Sequence, residues 1–316
     1  MSPTGSKIVS LGHYQPSRVL SNEELARMVD TNDAWIRDRV GIATRRIADT
    51  ESVADMAAAA ADKALASSGR TAADIDMVVV ATCSAEDRCP NVATRVASKL
   101  GIPAPAAFDL NTACSGFSYG LATADHAIRA GATRNALVIG AEKLSDIVDW
   151  TDRSTCVLFG DGAGAAVVTA VAADETPGIG PVLWGSAPER GDVLRIEGWR
   201  PYIHQEGQSV FRWATTALAP LARQACEQAG ITPADLAAFV PHQANARIID
   251  GIVKRLGLTD AVVARDIVES GNTSAASMPL ALSKMVERGE VPSGAPVLLF
   301  GFGGGLTYAG QVVRCP

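Results

Sequence analysis

The sequence predicts an α/β protein made of two similar halves, each with its own sheet, packed about a pseudo-twofold axis. Two observations predict this fold: the chain repeats itself at a constant offset, and short apolar strands alternate with helical segments. Alternation of helices with buried apolar strands is typical of α/β folds. The repeat is considered first because it decides the architecture into which the single elements must fit.

Three short matches recur at one offset of 161 residues. The matching segments are 69–75 with 230–236, 111–114 with 272–275, and 137–140 with 298–301. Each match alone is weak, but three at one unbroken offset favour a duplication. We therefore predict an N-terminal half at 1–171 and a C-terminal half at 172–316. Residues 172–205 are rich in Pro, Gly and Trp and show few periodic signals, so we expect a connecting excursion there.

Capping and stop signals predict the first elements. Ser, Asn, Glu and Glu at 21–24 form a capping-box pattern that opens a helix. The Ala-rich segment 52–67 follows a Ser cap and ends before Gly69, as expected for a second helix. The β-branched run 77–81 is short and bounded by turn signals, which indicates a buried strand.

Composition is that of an ordinary globular protein, with 316 residues, 47% apolar and 20% charged. At about 100–200 residues per domain this length suggests two units. The net charge of −6 disfavours a nucleic-acid partner, because phosphate binding needs positive charge. No apolar run approaches the roughly 18 residues of a membrane span, and residues 1–10 lack the pattern of a secretory signal. We predict a soluble, cytoplasmic protein without a membrane partner.

The cysteines and histidines do not have the spacing of a metal site. None of the six Cys forms a C-x-x-C pair, and the four His are scattered. A reducing compartment leaves such thiols free, and a free Cys is most often a small buried apolar residue. A functional thiol must therefore be argued from its neighbours.

Cys114 follows a predicted strand at 106–110 and precedes a helix predicted from about Ser115 to Ala130. At such a helix N-terminus the dipole and the unpaired N–H groups would stabilise a thiolate and could hold a developing oxyanion. A buried structural thiol at a tight turn fits the spacing equally well. The repeat favours a nucleophile, because the counterpart Ala275 lacks a thiol although both copies keep Asn-Thr.

Two further polar side chains belong to the same pattern. His242 directly follows a predicted strand at 238–240, and strand ends are where α/β sheets bind ligands. Asn272 would lie at a strand-to-helix turn of the second half, facing the first half. The alternatives are a hydrogen-bonded loop histidine and an Asn helix cap. Together with the Cys114 thiol, His242 and Asn272 form a set of one nucleophile and two hydrogen-bond donors.

A glycine cluster at 301–310 has a counterpart at 159–164. Neither contains a phosphate-loop pattern or a dinucleotide fingerprint. We therefore expect tight bends at which the backbone approaches another group closely.

These motifs resemble the β-ketoacyl-acyl carrier protein synthase III family over nearly the whole chain. The resemblance rests on four segments in order, at 111–117, 241–245, 271–277 and 302–305. It implies the thiolase fold, a duplicated α/β architecture with five layers in the order α-β-α-β-α. It also implies a homodimeric acyltransferase that initiates fatty acid or polyketide synthesis and needs no metal or redox cofactor.

The resemblance implies a reaction in two stages. Cys114 takes an acyl group from acyl-coenzyme A (acyl-CoA) while the backbone N–H groups of Cys114 and Gly304 hold the oxyanion. His242 and Asn272 then donate hydrogen bonds to the thioester carbonyl of malonyl-acyl carrier protein. They stabilise the enolate that remains when carbon dioxide departs, and the carbanion attacks the acylated cysteine to give a β-ketoacyl-acyl carrier protein.

Segments 31–39 and 151–153 resemble the coenzyme A (CoA) contacts of that family. Trp35 and Arg153 would flank the adenine, Arg39 would meet phosphate, Asn245 would contact the pantetheine arm, and Thr31 belongs to the same set. Without the resemblance, a core aromatic and two solvated arginines would be the preferred interpretation.

An acidic carrier protein requires a local basic patch on an enzyme whose net charge is −6. Arg247, Lys254 and Arg255 fall at i, i+7 and i+8, which places them on one helical face. We expect Arg212 to join them in carrier docking. Ordinary solvated surface is the alternative, and Asp250 dilutes the patch.

Cys89 departs from the family pattern, because acetyl-selective relatives carry a bulky aromatic there. In the family this residue reaches across the dimer interface and caps the acyl pocket of the partner. A smaller side chain predicts room for longer or branched acyl groups, with Leu144 as another wall of the acyl pocket.

Two alternatives remain from the sequence. The first is an acyl-CoA-dependent acyltransferase of the same fold that works in a specialised pathway without decarboxylation; intact His242 and Asn272 argue against it. The second is a catalytically silent binding subunit, which the presence of Cys114 disfavours. A plant-type polyketide synthase is less compatible, since those chains are usually longer.

Overall fold

The computed structural model describes residues 5–198 and 202–316. Its strands are β1 (Ser6–Tyr14), β2 (Val19–Ser21), β3 (Thr44–Arg46), β4 (Met77–Ala81), β5 (Ala106–Leu110), β6 (Asn135–Lys143), β7 (Asp161–Ala170), β8 (Leu183–Ser186), β9 (Leu194–Ile196), β10 (Ile203–Gln205), β11 (Ala238–Pro241), β12 (Val262–Val263), β13 (Pro296–Gly303) and β14 (Thr307–Arg314). Its α-helices are α1 (Asn22–Leu25), α2 (Asp33–Val40), α3 (Val53–Ser68), α4 (Val92–Leu100), α5 (Gly116–Arg129), α6 (Arg153–Cys156), α7 (Gly207–Gln228), α8 (Ala246–Leu256), α9 (Ile267–Ser270) and α10 (Ser277–Glu287).

Two five-stranded mixed sheets have the same topology. The first has the order β5-β4-β6-β7-β1 and the second the order β12-β11-β13-β14-β8. In both sheets the first three strands in this order are parallel to one another. The fourth strand is antiparallel to the third, and the fifth is antiparallel to the fourth. The matching order and directions confirm the predicted duplication of an α/β half.

The repeat extends to single backbone conformations. Ala113 and Ser274 have φ angles of 48° and 47°, and they lie at the predicted offset. Residues with a side chain rarely adopt positive φ, so coincidence is a poor explanation. Each begins a short 3₁₀ turn, Ala113–Ser115 or Ser274–Ala276, that leads directly into a helix.

Five layers follow from where the apolar side chains are buried. Helices α3 and α4 cover the outer face of the first sheet, and α7 and α8 cover the outer face of the second. Between the sheets, α5 and α10 fill one shared core. Its buried members from both halves include Val79, Phe117, Leu121, Val138, Val240, Met278, Leu282 and Leu299. This arrangement confirms the predicted five-layered order.

Most predicted elements of the first half agree with the structure. Ser52 forms a capping box at the start of α3, and Gly69 ends the helix with a left-handed φ of 68°. The runs 77–81 and 106–110 are strands β4 and β5. Within the described residues, no helix is both long and apolar enough to cross a bilayer.

The predicted excursion at 172–205 is wrong in part. Strand β8 forms the edge of the second sheet, and β9 and β10 pair as a hairpin. These strands have only three or four residues, too few for a hydrophobic period to be recognised. The division at 171/172 stays a prediction.

Gly140 on β6 permits a close approach between the halves. A Cβ added there would lie 2.2 Å from the backbone oxygen of Ala275. We expect Gly140→Ala to lower the free energy of unfolding by about 1–3 kcal/mol or more, because the strand and the turn must separate. Urea denaturation measures this change. Gly207→Ala, where an added Cβ meets no atom within 4 Å, should cause no comparable loss; equal effects of the two variants would contradict the prediction.

Candidate active site

A cavity of about 330 Å³ lies where the two halves meet. Its wall combines apolar side chains with a few polar groups, as is typical of a small-molecule site. The lining residues used below are Cys83, Cys114, Leu144, Leu194, Ile196, Ile203, Ser274 and Gly304. The predicted nucleophile, the predicted backbone donor Gly304 and the predicted pocket wall Leu144 therefore share one cavity.

Cys114 lies in the 3₁₀ turn between β5 and α5, where the sequence predicted it. Gly303, at the end of β13, packs directly against it: an added Cβ at Gly303 would be 2.9 Å from the Cys114 Sγ. This contact confirms the close approach expected at the second glycine cluster. The backbone N–H groups of Gly304 and Cys114 lie near the thiol sulfur, where they lower its pKa.

Opposing influences act on the pKa of the Cys114 thiol. Burial raises its pKa to about 11, although hydrogen bonds from Ser274 and from backbone N–H groups lower it. The nearby charge of Glu142 raises the pKa further. The stabilisation of a thiolate by the helix end stays a prediction.

His242 directly follows β11, as predicted. Its backbone N–H donates to the carbonyl oxygen of Phe300 at 2.9 Å, which holds the residue at the strand end. Its ring packs edge-on against Phe302, with the centroids 5.3 Å apart. Since Phe302 immediately precedes Gly303, this packing ties the imidazole to the segment that touches Cys114.

The protonation of His242 follows from its partners. Its Nδ1 lies 2.8 Å from the Ser277 Oγ, and that oxygen also accepts the backbone N–H of Gln243 at 3.3 Å. The Ser277 hydroxyl can donate to Nδ1, and in that tautomer the proton of the neutral ring is on Nε2. Burial lowers the pKa of His242 to about 3, which keeps the ring neutral. The side chain is a neutral hydrogen-bond donor.

Asn272 faces the first half through backbone hydrogen bonds. Its N–H donates to the Leu158 carbonyl at 2.8 Å, and its carbonyl accepts the N–H of Gly160 at 3.0 Å. Its Oδ1 accepts the N–H of Ser274 at 2.8 Å, which leaves Nδ2 as the donating end. The predicted strand-to-helix turn was wrong, since helix α9 precedes it. Asn272 is two residues from Ser274, which lines the cavity together with Cys114.

Two of the residues predicted to bind CoA, Trp35 and Arg153, are engaged with each other near this cavity. Trp35 packs on the apolar cluster that contains Leu144 and Ile203, both of which line the cavity. The Arg153 guanidinium lies over the Trp35 ring, 5.1 Å from its centroid. The Thr31 Oγ1 is buried without a hydrogen-bond partner.

Asn245 and Arg39 are joined to each other. The Asn245 Nδ2 donates to the Arg39 carbonyl at 3.2 Å, and its Oδ1 accepts the backbone N–H of Arg247 at 2.9 Å. Asn245 therefore caps α8 and has one side-chain hydrogen left to offer a ligand. The Arg39 side chain is exposed. The roles of the CoA set stay predictions.

The predicted docking residues Arg212, Arg247, Lys254 and Arg255 are all exposed. The Arg247 guanidinium lies 5.5 Å from the centre of the Phe211 ring. Asp250, which was expected to dilute the patch, pairs instead with Arg265 at 2.6 Å. Cys89 is exposed on the loop before α4 and does not line the cavity of its own chain.

Several residues of the site were missed in the sequence. Ser274 belongs to the quoted segment 271–277, and its counterpart beside Cys114 could have indicated it. Glu142 is fully buried beside the cavity, and a single acid at a strand end gives no such signal. The part of the cavity wall that Leu194, Ile196 and Ile203 of β9 and β10 form was also missed, because these strands are too short to show a hydrophobic period.

Comparisons with known proteins agree with this geometry. Residues 108–188 match the family described as 3-oxoacyl-[acyl-carrier-protein (ACP)] synthase III, and residues 226–315 match its C-terminal part. The chain is 66% identical to β-ketoacyl-[acyl-carrier-protein] synthase III 4 of Streptomyces coelicolor over 99% of both chains.

Solved structures are similar over the same length. The priming β-ketosynthase from the R1128 polyketide biosynthetic pathway has a TM-score of 0.97 at 43% identity, over 100% of this chain and 97% of that one. The 3-oxoacyl-[acyl-carrier-protein] synthase III of Aquifex aeolicus VF5 has a TM-score of 0.94 at 40% identity, over 98% and 100%. This chain belongs to the β-ketoacyl-acyl carrier protein synthase III family.

Proposed function

We propose that the chain transfers an acyl group from acyl-CoA to Cys114 and joins it to malonyl-acyl carrier protein with loss of carbon dioxide. The product is a β-ketoacyl-acyl carrier protein, formed at the start of fatty acid or polyketide synthesis. One observation carries the proposal: Cys114 and the backbone of Gly304 line one cavity between the halves. The structural similarity to a priming β-ketosynthase supports a role in initiation.

In the first stage the Cys114 sulfur attacks the acyl-CoA carbonyl. The N–H groups of Cys114 and Gly304, which lie near the sulfur in the free protein, then donate to the oxyanion that develops beside it. Such preorganised donors need no reorientation while charge builds up, and one typically contributes about 10²–10³ in turnover. Expulsion of the CoA thiolate leaves acylated Cys114.

In the second stage His242 and Asn272 hold the thioester carbonyl of malonyl-acyl carrier protein. Their donors are the Nε2–H and the Nδ2–H₂, whose orientations follow from Ser277 and Ser274. Loss of carbon dioxide moves negative charge onto this oxygen, so donors aimed there favour the transition state over the ground state. Neutral donors stabilise the enolate without readily protonating its carbon. No metal or redox cofactor is required by either stage.

For CoA, we propose that the adenine enters between Trp35 and Arg153, that Arg39 meets phosphate, and that Asn245 and Thr31 contact the rest of the ligand. The two stacked side chains must separate for this, because the guanidinium occupies the ring face. The unpaired hydroxyl of Thr31 supports a ligand here, since a buried polar atom without a partner is costly.

A homodimer is part of the proposal. Strand β5 is the edge of the first sheet in this chain, so a second β5 can continue the sheet. Asn91 donates to the Ala107 carbonyl at 3.1 Å, which places the nearby Cys89 beside that edge. From there Cys89 would cap the acyl pocket of the partner, opposite Leu144. A small residue at that position favours longer or branched acyl groups.

The exposed basic residues supply the proposed carrier surface. Arg247, Lys254 and Arg255 lie along α8, with Arg212 on the neighbouring α7. An acidic carrier protein would be attracted to this side of the molecule, chiefly through the association rate. The predicted cytoplasmic location stays a prediction.

The experiment that tests the proposal combines intact mass with carbon dioxide release. The protein is incubated with acyl-CoA donors of varied length and branching, and malonyl-acyl carrier protein is then added. We expect one acyl mass on Cys114, followed by carbon dioxide and a β-ketoacyl-acyl carrier protein. Acylation without carbon dioxide would favour the non-decarboxylating acyltransferase, and absence of acylation would favour a silent subunit.

The lowered pKa of His242 makes a prediction about pH. Its value of about 3 means that the ring stays neutral, so the condensation rate of preformed acyl-enzyme should be nearly constant between about pH 5.5 and 8. Single-turnover rates measure this. A loss of rate with a midpoint near the ordinary histidine pKa of about 6.5 would contradict it. The same shift makes the fold less stable below about pH 6.5, where the unfolded imidazole binds a proton and the buried one does not.

A further inference from the structure

Arg45, in the middle of β3, is a fully buried arginine that the proposed reaction does not use. Its Nη1 donates to the Asn22 Oδ1 at 2.8 Å and to the Leu20 carbonyl at 3.4 Å, and its Nη2 donates to the Val157 carbonyl at 2.6 Å. In the described part of the chain no carboxylate forms an ion pair with this guanidinium. Burial lowers the pKa of Arg45 to about 10, so the side chain keeps its charge at neutral pH. A buried charge held only by neutral groups is costly and requires a reason.

The stem of Arg45 lies against the backbone that holds Asn272. An added Cβ at Gly160 would be 3.1 Å from the Arg45 Cβ, and so would an added Cβ at Gly271. Gly160 follows Phe159 and Gly271 precedes Asn272, and these two neighbours form a parallel β-bridge. The stem therefore packs on both chains of the bridge at once, in a space that only glycine leaves open.

The head of the Arg45 side chain fixes one chain of the same bridge. The Val157 carbonyl that accepts from Nη2 belongs to the residue directly before Leu158. The Leu158 carbonyl in turn accepts the backbone N–H of Asn272 at 2.8 Å. The backbone on which Asn272 rests cannot shift without lengthening the hydrogen bond from Arg45 or opening the contact with its stem.

We propose that Arg45 is a positioning residue that sets the direction of the Asn272 amide during condensation. The inference rests on the proposed function, which assigns Asn272 to the second stage. Because the Asn272 Oδ1 is bound to the N–H of Ser274 in the same turn, the direction of its Nδ2 follows the position of the turn. A displacement of about 1 Å can cost about 10² in rate. None of the three residues that accept hydrogen bonds from Arg45 lines the cavity, so acylation of Cys114 should be spared.

Asn22 also connects Arg45 to helix α2. The Asn22 Nδ2 donates to the Asp33 Oδ1 and to the Ile42 carbonyl, both at 2.8 Å. Asp33 is the first residue of α2, which carries Trp35 of the proposed CoA site. A change at Arg45 can therefore also reach the affinity for acyl-CoA. Acylation rates at saturating acyl-CoA exclude that effect from the comparison.

Arg45→Met keeps an apolar stem and removes the guanidinium. We expect single-turnover release of carbon dioxide from preformed acyl-enzyme and malonyl-acyl carrier protein to fall by about 10–10²-fold. Acylation at saturating acyl-CoA, measured by rapid-quench intact mass, should change by less than about threefold. Arg45→Lys keeps the charge and one donating group and should lose less condensation than Arg45→Met.

Arg46→Met is the matched control. Arg46 is the next residue of β3, so its side chain lies on the opposite face of the strand. Its Nη1 donates to the Ser17 carbonyl at 3.1 Å instead of to the chain beside Asn272. The same chemical change one residue away should leave acylation and condensation at their normal rates.

A double variant distinguishes positioning of Asn272 from a general loss of structure. Once Asn272→Ala has removed the amide, Arg45 has nothing left to position. Adding Arg45→Met to Asn272→Ala should therefore lower the remaining condensation rate by less than about twofold. If the full loss reappears in the Asn272→Ala background, Arg45 does not act through the amide and the proposal fails.

The remaining outcomes also decide the proposal. Normal condensation in folded Arg45→Met would overturn it, as would equal losses in acylation and condensation or a comparable loss in Arg46→Met. If Arg45→Met does not fold by circular dichroism, Arg45→Lys and its double variant with Asn272→Ala decide in its place. Wild-type acyl-enzyme that releases no carbon dioxide would overturn the proposed function as well, whereas normal wild-type condensation confines a failure to the role of Arg45.

Discussion

Cys114→Ala is expected to abolish acyl transfer, with turnover reduced by about 10⁴-fold or more, since no other group can form the acyl-enzyme. The fold should survive. Ala275 occupies the equivalent position in the second half, in a 3₁₀ turn of the same conformation that leads into α10. The protein itself therefore shows that this turn accepts alanine. Intact mass after incubation with acyl-CoA, together with a melting temperature, measures both expectations.

The control for this prediction is another buried cysteine. Cys226 lies in the core beneath the second sheet, away from the cavity, so Cys226→Ala should still gain one acyl mass. Cys83 is the critical competitor, because its thiol lines the same cavity. Acylation that persists in Cys114→Ala and maps to Cys83 by peptide mass would contradict the assignment of the nucleophile.

The repeat made much of the fold and site predictable. Matches at one offset assigned Cys114 and Asn272 to corresponding turns, and the sheets and positive-φ residues follow that offset. His242 was predictable because the end of a buried apolar strand is easily recognised. These inferences used local patterns that the duplication placed in space relative to one another.

Other features depend on contacts that no local pattern encodes. Burial by several distant segments raises the pKa of Cys114, and no local pattern in the sequence reveals that burial. Glu142 was recognised only from its contacts, since Thr82 and Cys83, 60 and 59 residues earlier in the chain, donate hydrogen bonds to its carboxylate. The β9–β10 hairpin is stabilised by packing on the apolar cluster around Leu144 rather than by its own periodicity.

His242→Ala is expected to separate the two stages of the reaction. Condensation of preformed acyl-enzyme with malonyl-acyl carrier protein should fall by about 10²–10³-fold, because the Nε2–H donor to the enolate oxygen is lost. Acylation should change by less than about fivefold, since the backbone donors at Cys114 and Gly304 remain. Single-turnover release of carbon dioxide measures the rate of condensation, which should fall. Rapid-quench intact mass measures the rate of acylation, which should be retained.

The structure supplies both a control and a risk for this variant. His126→Ala makes the same chemical change at an exposed position beside Trp184 and should leave both rates unaltered. Removal of the buried imidazole also leaves space against Phe302, so the melting temperature must show that the variant is folded. In a folded variant, equal losses in acylation and condensation would mean that the imidazole serves Cys114 directly. The donor role proposed for His242 would then have to be abandoned.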